Sequence, residues 1–250
     1  MSPHATYVVL FLAAVWAGCQ NALAGGGSFI TLPTLMFTGM DALAANITSS
    51  VALFPSQAAT GVHGWKNSAG AAGLTRGWLV GLSLVGGVLG AGLLLVTPSS
   101  IFAHMVPWLV LFATVMFAWG SFGPRRADGG ARLKTGGAAV AQFCIAIYGG
   151  YFGGGIGFLM LAALTAAGLA IRNAAATKNV LAGVMNFAAV IILIFSPKVH
   201  WLQMAIVCAG ALIGGLAGAH MLTRVNEKLL RIAIVGIGAA LTIGLFIRAQ

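Results

Sequence analysis

Long apolar runs without charge dominate the chain, and short segments rich in glycine, proline or charge separate them. Most runs approach the roughly 20 residues that an α-helix needs to cross the hydrocarbon core of a membrane. The pattern therefore predicts an all-α integral membrane protein with about eight full spans. The runs cover residues 5–24, 46–62, 77–97, 101–119, 138–171, 179–197, 199–219 and 232–247.

The pattern of glycine and polar positions occurs twice. Residues 25–57 align with residues 153–186 across a single one-residue gap. The alignment places the glycine triplet 25–27 on the triplet 153–155. It also pairs Thr48 with Thr177, Ser50 with Asn179 and Gln57 with Asn186.

Internal repeats in a strongly apolar chain are typical of transporters, whose two halves form one site between them. We expect a first transmembrane repeat over residues 1–120 and a second over residues 137–250. Residues 121–136, which contain four positive charges, Asp128 and several glycines, are expected to form a cytoplasmic linker loop.

The composition supports a membrane protein and excludes other classes. Hydrophobic residues make up 60% of the 250 positions and charged residues only 6%, whereas soluble domains have about 25% charged residues. The net charge of +10 does not indicate nucleic-acid binding, because the basic residues lie singly or in small groups between apolar runs. The bilayer is therefore the expected surrounding, and nucleic acid is not an expected partner.

The candidate chemistry does not point to an enzyme. Cys19, Cys144 and Cys208 lie inside apolar runs, and neither they nor the five histidines have metal-ligand spacing. No nucleophile–base pair or nucleotide-binding loop is visible. We expect no catalytic residues, no metal and no cofactor.

The positions of the basic residues distinguish two topologies. If the segments around the two triplets bend back, the repeats are inverted, and ten of twelve basic residues share one side when Lys178 is set aside. If these segments cross straight through, the repeats are parallel and the split is eight to four. The positive-inside rule favours the lopsided arrangement, so we predict an inverted repeat with both termini outside.

The segment after the first triplet has the length of half a membrane. Residues 28–39 would form about 18 Å of helix at 1.5 Å per residue. Half-helices are tolerated in a membrane only where their ends face protein or a water-filled cavity. The triplets could expose backbone N–H groups to an anion, or they could serve as hinges or packing notches.

Polar residues open the apolar run that follows each triplet region. Thr48, Ser49 and Ser50 lie in the first copy, and Thr177, Lys178 and Asn179 lie in the second. They could cap a helix or bind a negatively charged ligand near its N-terminus.

Gln57 and Asn186 each lie seven residues beyond the end of these clusters, on the same predicted helix face. They could line a cavity or hydrogen-bond between helices.

Lys178 is the strongest single candidate for a residue that binds an anion. A cation at the membrane centre costs at least about 2.5 kcal/mol, and no acidic residue lies near it in the sequence. A buried lysine without a carboxylate requires an anion from elsewhere. The alternative is a side chain that extends to the interface beside Arg172.

These motifs resemble those of the TauE/SafE family of membrane permeases, also known as sulfite exporters. The resemblance rests on GGGSFITLP and GGYFGGGIGFLML, each followed by a polar-opened helix, and it extends over nearly the whole chain. It implies transport of a small sulfur-containing anion, sulfite or an organosulfonate, out of the bacterial cytoplasm. A multi-pass protein of the bacterial inner membrane is therefore expected.

We expect a secondary transporter that works by alternating access between its repeats. An anion channel, or a permease of the same fold for another small anion or a metal ion, remains an alternative, and homo-oligomerisation is left open. The expected substrate-binding residues are Gly26, Gly27, Thr48, Ser49, Ser50, Gln57, Gly154, Gly155, Thr177, Lys178, Asn179 and Asn186.

Overall fold

A computed structural model describes residues 3–23, 26–122, 133–221 and 227–248. These residues form ten α-helices and a short 3₁₀ turn, and no β-strand is found among them. The helices are α1 (Pro3–Leu23), α2 (Ser28–Phe37), α3 (Ala42–Gly64), α4 (Arg76–Val96), α5 (Ser99–Phe122), α6 (Thr135–Tyr151), α7 (Ile156–Ala166), α8 (Ile171–Leu193), α9 (Trp201–Met221) and α10 (Glu227–Arg248). The predicted all-α class is confirmed.

Two of the ten helices are short, and each follows a glycine triplet. Helix α2 has 10 residues and α7 has 11, whereas the others have 17 to 24. By length and composition, Arg76–Val96, Ser99–Trp119 and Ile171–Leu193 could each cross a membrane. The predicted number of full spans stays a prediction.

The five helices of the first half match the five of the second in order. Helices α3 and α8 both have 23 residues, and α4 and α9 both have 21. Gly39 and Gly168, which end the short helices, adopt nearly the same backbone angle, φ of +93° and +92°. The repeated sequence pattern thus corresponds to a repeated order of elements.

Each half packs its first helix against the fourth helix of the other half. Helix α1 lies along α9, and α6 lies along α4. Glycines allow these backbones to meet directly, because a Cβ atom on Gly214 would overlap the carbonyl of Val15 and one on Gly90 the carbonyl of Ile147. Because Gly214 and Gly90 have no side chain, helices from the two halves pack in direct backbone contact.

Two pairs of equivalent helices, α3–α8 and α5–α10, run antiparallel. In the α3–α8 pair, Gly64 faces Ala176 while Gly61, earlier in α3, faces Asn179, later in α8. In the α5–α10 pair, Trp108 stacks edge-on against Phe246 with ring centroids 5.0 Å apart, and Thr114 lies against Gly238.

Helices α6 and α7 form a hairpin. The N–H of Leu133, just before α6, donates to the carbonyl of Ala166 at the end of α7 (3.1 Å). Both ends of the hairpin therefore lie on the same side of the molecule. The predicted linker lies next to it: α5 ends at Phe122 and α6 begins at Thr135, and residues 123–132 fall outside the described residues.

The outer surface is apolar, as a lipid environment requires. On α4, Trp78, Val85 and Leu89 are exposed, while Gly86 and Gly90 of the same helix are buried. Large apolar side chains thus face outward and small residues face the neighbouring helices. This is the reverse of a soluble protein and is typical of packing in membranes.

Candidate functional site

The two short helices begin close to each other. Helix α2 starts after Gly27 and α7 starts after Gly155. A Cβ atom built on Gly153 would lie 3.9 Å from Ser28 Oγ, so the two triplet regions are neighbours. Gly25 lies outside the described residues, but Gly26 and Gly27 are buried beside the second triplet region.

The second triplet needs glycine for its backbone conformation. Gly153 and Gly155 have φ of +78° and +74°, in the left-handed region that other residues avoid. This turn leaves the N–H groups of Ile156 and Gly157 without an acceptor among the described residues. Unpaired N–H groups and the helix macrodipole make such an end attractive to a negative charge.

A cavity of about 30 Å³ lies where the two short helices begin. Residues from α1, α2, α3, α7 and α8 contribute to its wall. The lining residues are Asn21, Gly26, Ser28, Gln57, Thr60, Gly153, Ile156, Gly157, Lys178, Asn179 and Ala182. Both halves of the chain therefore form the cavity.

Lys178 contributes the positive charge of this cavity. Its side chain is only 8% exposed, and it has no hydrogen bond or ion pair to any described residue. Asp41 is occupied elsewhere, because its carboxylate accepts hydrogen bonds from the N–H groups of Leu43 and Ala44 (both 3.1 Å). A buried ammonium without a counter-charge is costly, so a site of this kind favours an anion.

Gln57 and Asn179 reach the cavity from different helices. Gln57 lies in the last third of α3 and Asn179 near the start of α8, and the antiparallel crossing brings them together. Gln57 Oε1 is buried without a partner among the described residues. The hydroxyl of Thr60 donates to the Gln57 carbonyl (2.8 Å) and also lines the cavity.

The prediction that the polar clusters around Thr48 and Thr177 open their helices was wrong. Helix α3 begins at Ala42, with Asp41 as its N-cap, and α8 begins at Ile171. The polar clusters around Thr48 and Thr177 therefore lie about two turns inside their helices and cap nothing. The helix N-termini at the cavity are those of α2 and α7 instead.

Thr48 and Thr177 do not line the cavity, and each holds a loop of the other half. Thr177 Oγ1 accepts a hydrogen bond from the N–H of Ala69 (2.9 Å), and the same hydroxyl donates to the Ala69 carbonyl (3.3 Å). Thr48 Oγ1 accepts from the N–H of His200 (3.2 Å). The two aligned threonines thus have matching roles between the halves.

Four further predicted residues lie outside the cavity lining. Ser49 is buried and its hydroxyl is hydrogen-bonded to that of Thr31 (2.6 Å), while Ser50 is half-buried on the same helix. The Asn186 side chain donates to the carbonyl of Ala182 (2.9 Å), within its own helix. Gly154 is buried beside the ring of Phe152.

Of the twelve predicted residues, the cavity lining includes Gly26, Gln57, Lys178 and Asn179. Gly27 and Gly155 are the N-caps of α2 and α7 next to it. The twelve did not include the lining residues Asn21, Ser28, Thr60, Gly153, Ile156, Gly157 and Ala182. Ser28 could have been found because it follows a triplet directly, and Thr60 because it lies one turn beyond Gln57.

The lining residues supply hydrogen-bond donors and one positive charge, which are groups that can hold an anion. Amides, hydroxyls, backbone N–H groups and one ammonium face the cavity, and none of the lining residues is a carboxylate, cysteine or histidine. Within the described part of the chain, no three such side chains converge on one point.

The sequence matches the model of the family described as "Sulfite exporter TauE/SafE" over residues 10–245. The chain belongs to the TauE/SafE family. The family predicted from the glycine and polar motifs is therefore confirmed.

Several curated relatives match along nearly their full length. A "Probable membrane transporter protein" of Haemophilus influenzae is 28% identical over 233 residues, which cover 91% of this chain and 89% of the relative. The "Probable membrane transporter protein YfcA" of Escherichia coli K12 is 26% identical over 239 residues (94% and 87%). The "Probable membrane transporter protein ORF9" of a Sinorhizobium species is 28% identical over 247 residues (94% and 90%). No solved structure matches the chain.

Proposed function

We propose that this TauE/SafE protein is a secondary transporter that exports a small sulfur-containing anion, sulfite or an organosulfonate. The observation that supports this most strongly is Lys178, which is buried and has no partner among the described residues, in a cavity where two half-helices begin. In this proposal the anion is the missing counter-charge. The carrier lies in the bacterial inner membrane, as the family's transport role would require.

In the proposed site, the Lys178 ammonium neutralises the anion, and the free N–H groups of α7 hydrogen-bond its oxygens. Ser28 and Asn179 donate further hydrogen bonds. Gln57 orients the bound molecule with its amide. Gly26 and Gly155 keep the backbone close enough for these contacts. Charge-assisted bonds of this type are about twice as strong as neutral ones.

An inverted repeat is part of the proposal. Two halves related by an axis in the membrane plane have equivalent helices that run antiparallel, whereas a parallel repeat would make them parallel. The antiparallel pairs α3–α8 and α5–α10 support the inverted arrangement.

The α6–α7 hairpin also supports the inverted arrangement, since its ends lie on one side of the molecule and it adds no net crossing. With the same order of elements in the first half, helices α3, α4 and α5 cross three times, an odd number that inverts the second repeat. Both termini and Lys198 would lie outside, and Lys66, Arg76 and Lys134 would lie in the cytoplasm. A C-terminal reporter should be accessible from outside, and a cytoplasmic reporter would contradict this topology.

The size of the cavity favours a carrier over a channel. A volume of about 30 Å³ holds one or two water molecules, and no organic anion. The structure is therefore interpreted as a closed conformation, in which the substrate enters only after the halves have moved. A channel would instead need a continuous polar path through several helices.

The membrane potential could drive export without a coupled ion. When an anion leaves a cell whose interior is negative, its free energy falls by about 2.3 kcal/mol per charge per 100 mV. Proton-coupled carriers place an acid or histidine at the membrane centre, and the cavity lining has neither.

Flux measurements in vesicles that contain the purified protein test this proposal. Sulfite or sulfoacetate efflux should saturate with concentration and slow when the potential is collapsed, while sodium and nickel ions are not carried. Vesicles with the Lys178→Met protein serve as the control. Efflux that ignores the potential and requires a pH gradient would overturn the uncoupled mechanism, and carriage of cations alone would overturn the anion assignment.

A further inference from the structure

An apolar groove of about 420 Å³ runs along the crossing of α3 and α8, on a different face from the cavity. On α3, Gln57 and Thr60 line the cavity, whereas the next positions, Ala58 and Gly61, line the groove. The same alternation occurs on α8. Nine of the ten residues that line the groove are apolar, and the tenth is Lys66. The groove is therefore separate from the site described above.

Two glycines form the floor of the groove. A Cβ atom on Gly61 would lie 3.8 Å from the Cα of Gly183, and one on Gly183 would lie 3.5 Å from the carbonyl oxygen of Gln57. The two helices therefore meet here through their backbones, and the larger side chains stand on either side. Phe54 and Phe187 lie across one end of the groove, with ring centroids 5.9 Å apart.

The opposite end of the groove is basic. Lys66 is exposed there and has no hydrogen bond or ion pair to a described residue. The guanidinium of Arg76 lies 4.2 Å from the centroid of the Trp65 ring, which also lines the groove. Arg172 is exposed about one turn before Ala176, at the same end of the helix pair. Three cations therefore surround this end.

Among the side chains that the structure describes, no carboxylate lies near these cations. Asp41 caps the other end of α3, about 35 Å away at 1.5 Å per residue. A cluster of cations at the end of an apolar groove complements a molecule with a negative head and an apolar tail. Basic pockets between transmembrane helices bind anionic lipid headgroups in this way.

Two other surface grooves lack the basic end. One follows α5 from Ser100 to Leu109, and another lies between α2 and α10 around Phe37. Neither lining includes a lysine or an arginine. Of these three grooves, the α3–α8 groove is the one that joins an apolar length to a positive charge.

We propose that the α3–α8 groove binds an anionic phospholipid, with one acyl chain between the helices and the phosphate against Lys66. From Phe54 to Trp65 the groove extends about 16 Å along α3, which is close to half of the hydrocarbon core of a bilayer. One acyl chain of one leaflet matches this length. Trp65 then lies at the level of the headgroups, where tryptophan is enriched. The lipid site does not depend on which substrate the protein carries.

Native mass spectrometry of the full-length protein tests the site. The protein is purified in a non-ionic detergent with equal amounts of phosphatidylglycerol and phosphatidylcholine that have the same acyl chains. Each basic residue near an anionic lipid increases affinity about fivefold. We therefore expect the wild-type protein to retain phosphatidylglycerol over phosphatidylcholine by a ratio of about five or more.

Two variants separate the head of the site from the groove. Lys66→Gln should lower the retention ratio about fivefold, while Lys134→Gln, at an exposed lysine outside the groove lining, should keep it. Ala58→Phe places a ring in the space of the acyl chain and should retain neither lipid. Its matched control is Ala59→Phe, at the adjacent exposed position outside the lining, which should retain lipid as the wild type does.

Equal retention of the two lipids by the wild type would overturn the site. So would a ratio that Lys66→Gln leaves unchanged, and this exposed substitution keeps the test valid even if Ala58→Phe does not fold. If a second copy of the chain covers the groove instead, Ala58→Phe should shift the measured mass from dimer to monomer and leave lipid retention unchanged. That result would also overturn the lipid site.

Discussion

The two polar clusters on α3 and α8 have the same layout and different environments. Their first residues, Thr48 and Thr177, have the same role, because each hydroxyl accepts a hydrogen bond from a loop of the opposite half. Their second residues differ, because Ser49 is hydrogen-bonded to Thr31 away from the cavity while Lys178 lies unpaired inside it. The repeated residues secure the fold, and the residue that diverges provides the charge.

The comparison also explains why the charge occurs once. Two buried lysines would each add a cost of burial. A single ammonium between two helix N-termini gives a positive site with only one costly group. The neutral Ser49–Thr31 pair keeps the first copy satisfied without a ligand.

Exchanging the two diverged residues should have the largest effect. The Ser49→Lys/Lys178→Ser protein removes the charge from the cavity and places an ammonium against Thr31. Burial of an unpaired charge costs several kcal/mol, so we expect loss of sulfonate binding and a lower midpoint of thermal unfolding in detergent. Ser49→Ala alone is the control and should keep binding. Wild-type affinity in the exchanged protein would mean that the two positions are equivalent.

Removing the charge alone should abolish most binding but not the fold. Lys178→Met should weaken methanesulfonate affinity about 100-fold, since hydrogen bonds to charged groups contribute about 1.5 to 3 kcal/mol. The thermal midpoint should stay the same or rise, because a costly buried charge is gone. Lys66→Met, at an exposed lysine, should leave the affinity unchanged. A tenfold loss in that control would instead indicate a diffuse electrostatic effect.

Adding one methyl group tests whether the second triplet requires its left-handed backbone conformation. Gly155→Ala forces alanine to φ of +74° and places its Cβ 3.1 Å from the Cβ of Ala113. A left-handed residue costs about 1 to 2 kcal/mol, so the protein should unfold at lower temperature. Gly81→Ala, in a helix with open space around it, should be neutral or slightly stabilising. Equal effects would show that the left-handed turn is not required.

The anchoring threonines should give the smallest effect. Thr177→Val leaves the Ala69 N–H unpaired and should cost about 1 to 2 kcal/mol of stability, and Thr48→Val about 1 kcal/mol or less. Neither should change sulfonate affinity more than about twofold, because neither residue lines the cavity. Thermal unfolding and calorimetry measure both quantities. A large loss of affinity in Thr48→Val would place that hydroxyl in the site after all.

Features that depend on local sequence could be predicted. The glycine triplets, the short helices that follow them and the charge of Lys178 without an acidic neighbour are all visible within a few residues. Their physical causes act along the chain, through backbone freedom and helix length.

Features that depend on contacts between distant segments could not be predicted. The crossing of α3 and α8 brings Gln57 and Asn179 to the cavity. Asn186 instead forms a hydrogen bond within its own helix. Likewise, the partners of Thr48 and Thr177 lie 152 and 108 residues away. A hydroxyl in the sequence does not reveal whether the fold already supplies its hydrogen bond.

The most direct test of the account is the position of a bound oxyanion. Selenite resembles sulfite, and its selenium atom can be located by anomalous diffraction from crystals grown with it. The account predicts one peak between the first turns of α2 and α7, within hydrogen-bonding distance of the Lys178 ammonium. A peak elsewhere in the protein, or none at saturating selenite, would contradict it.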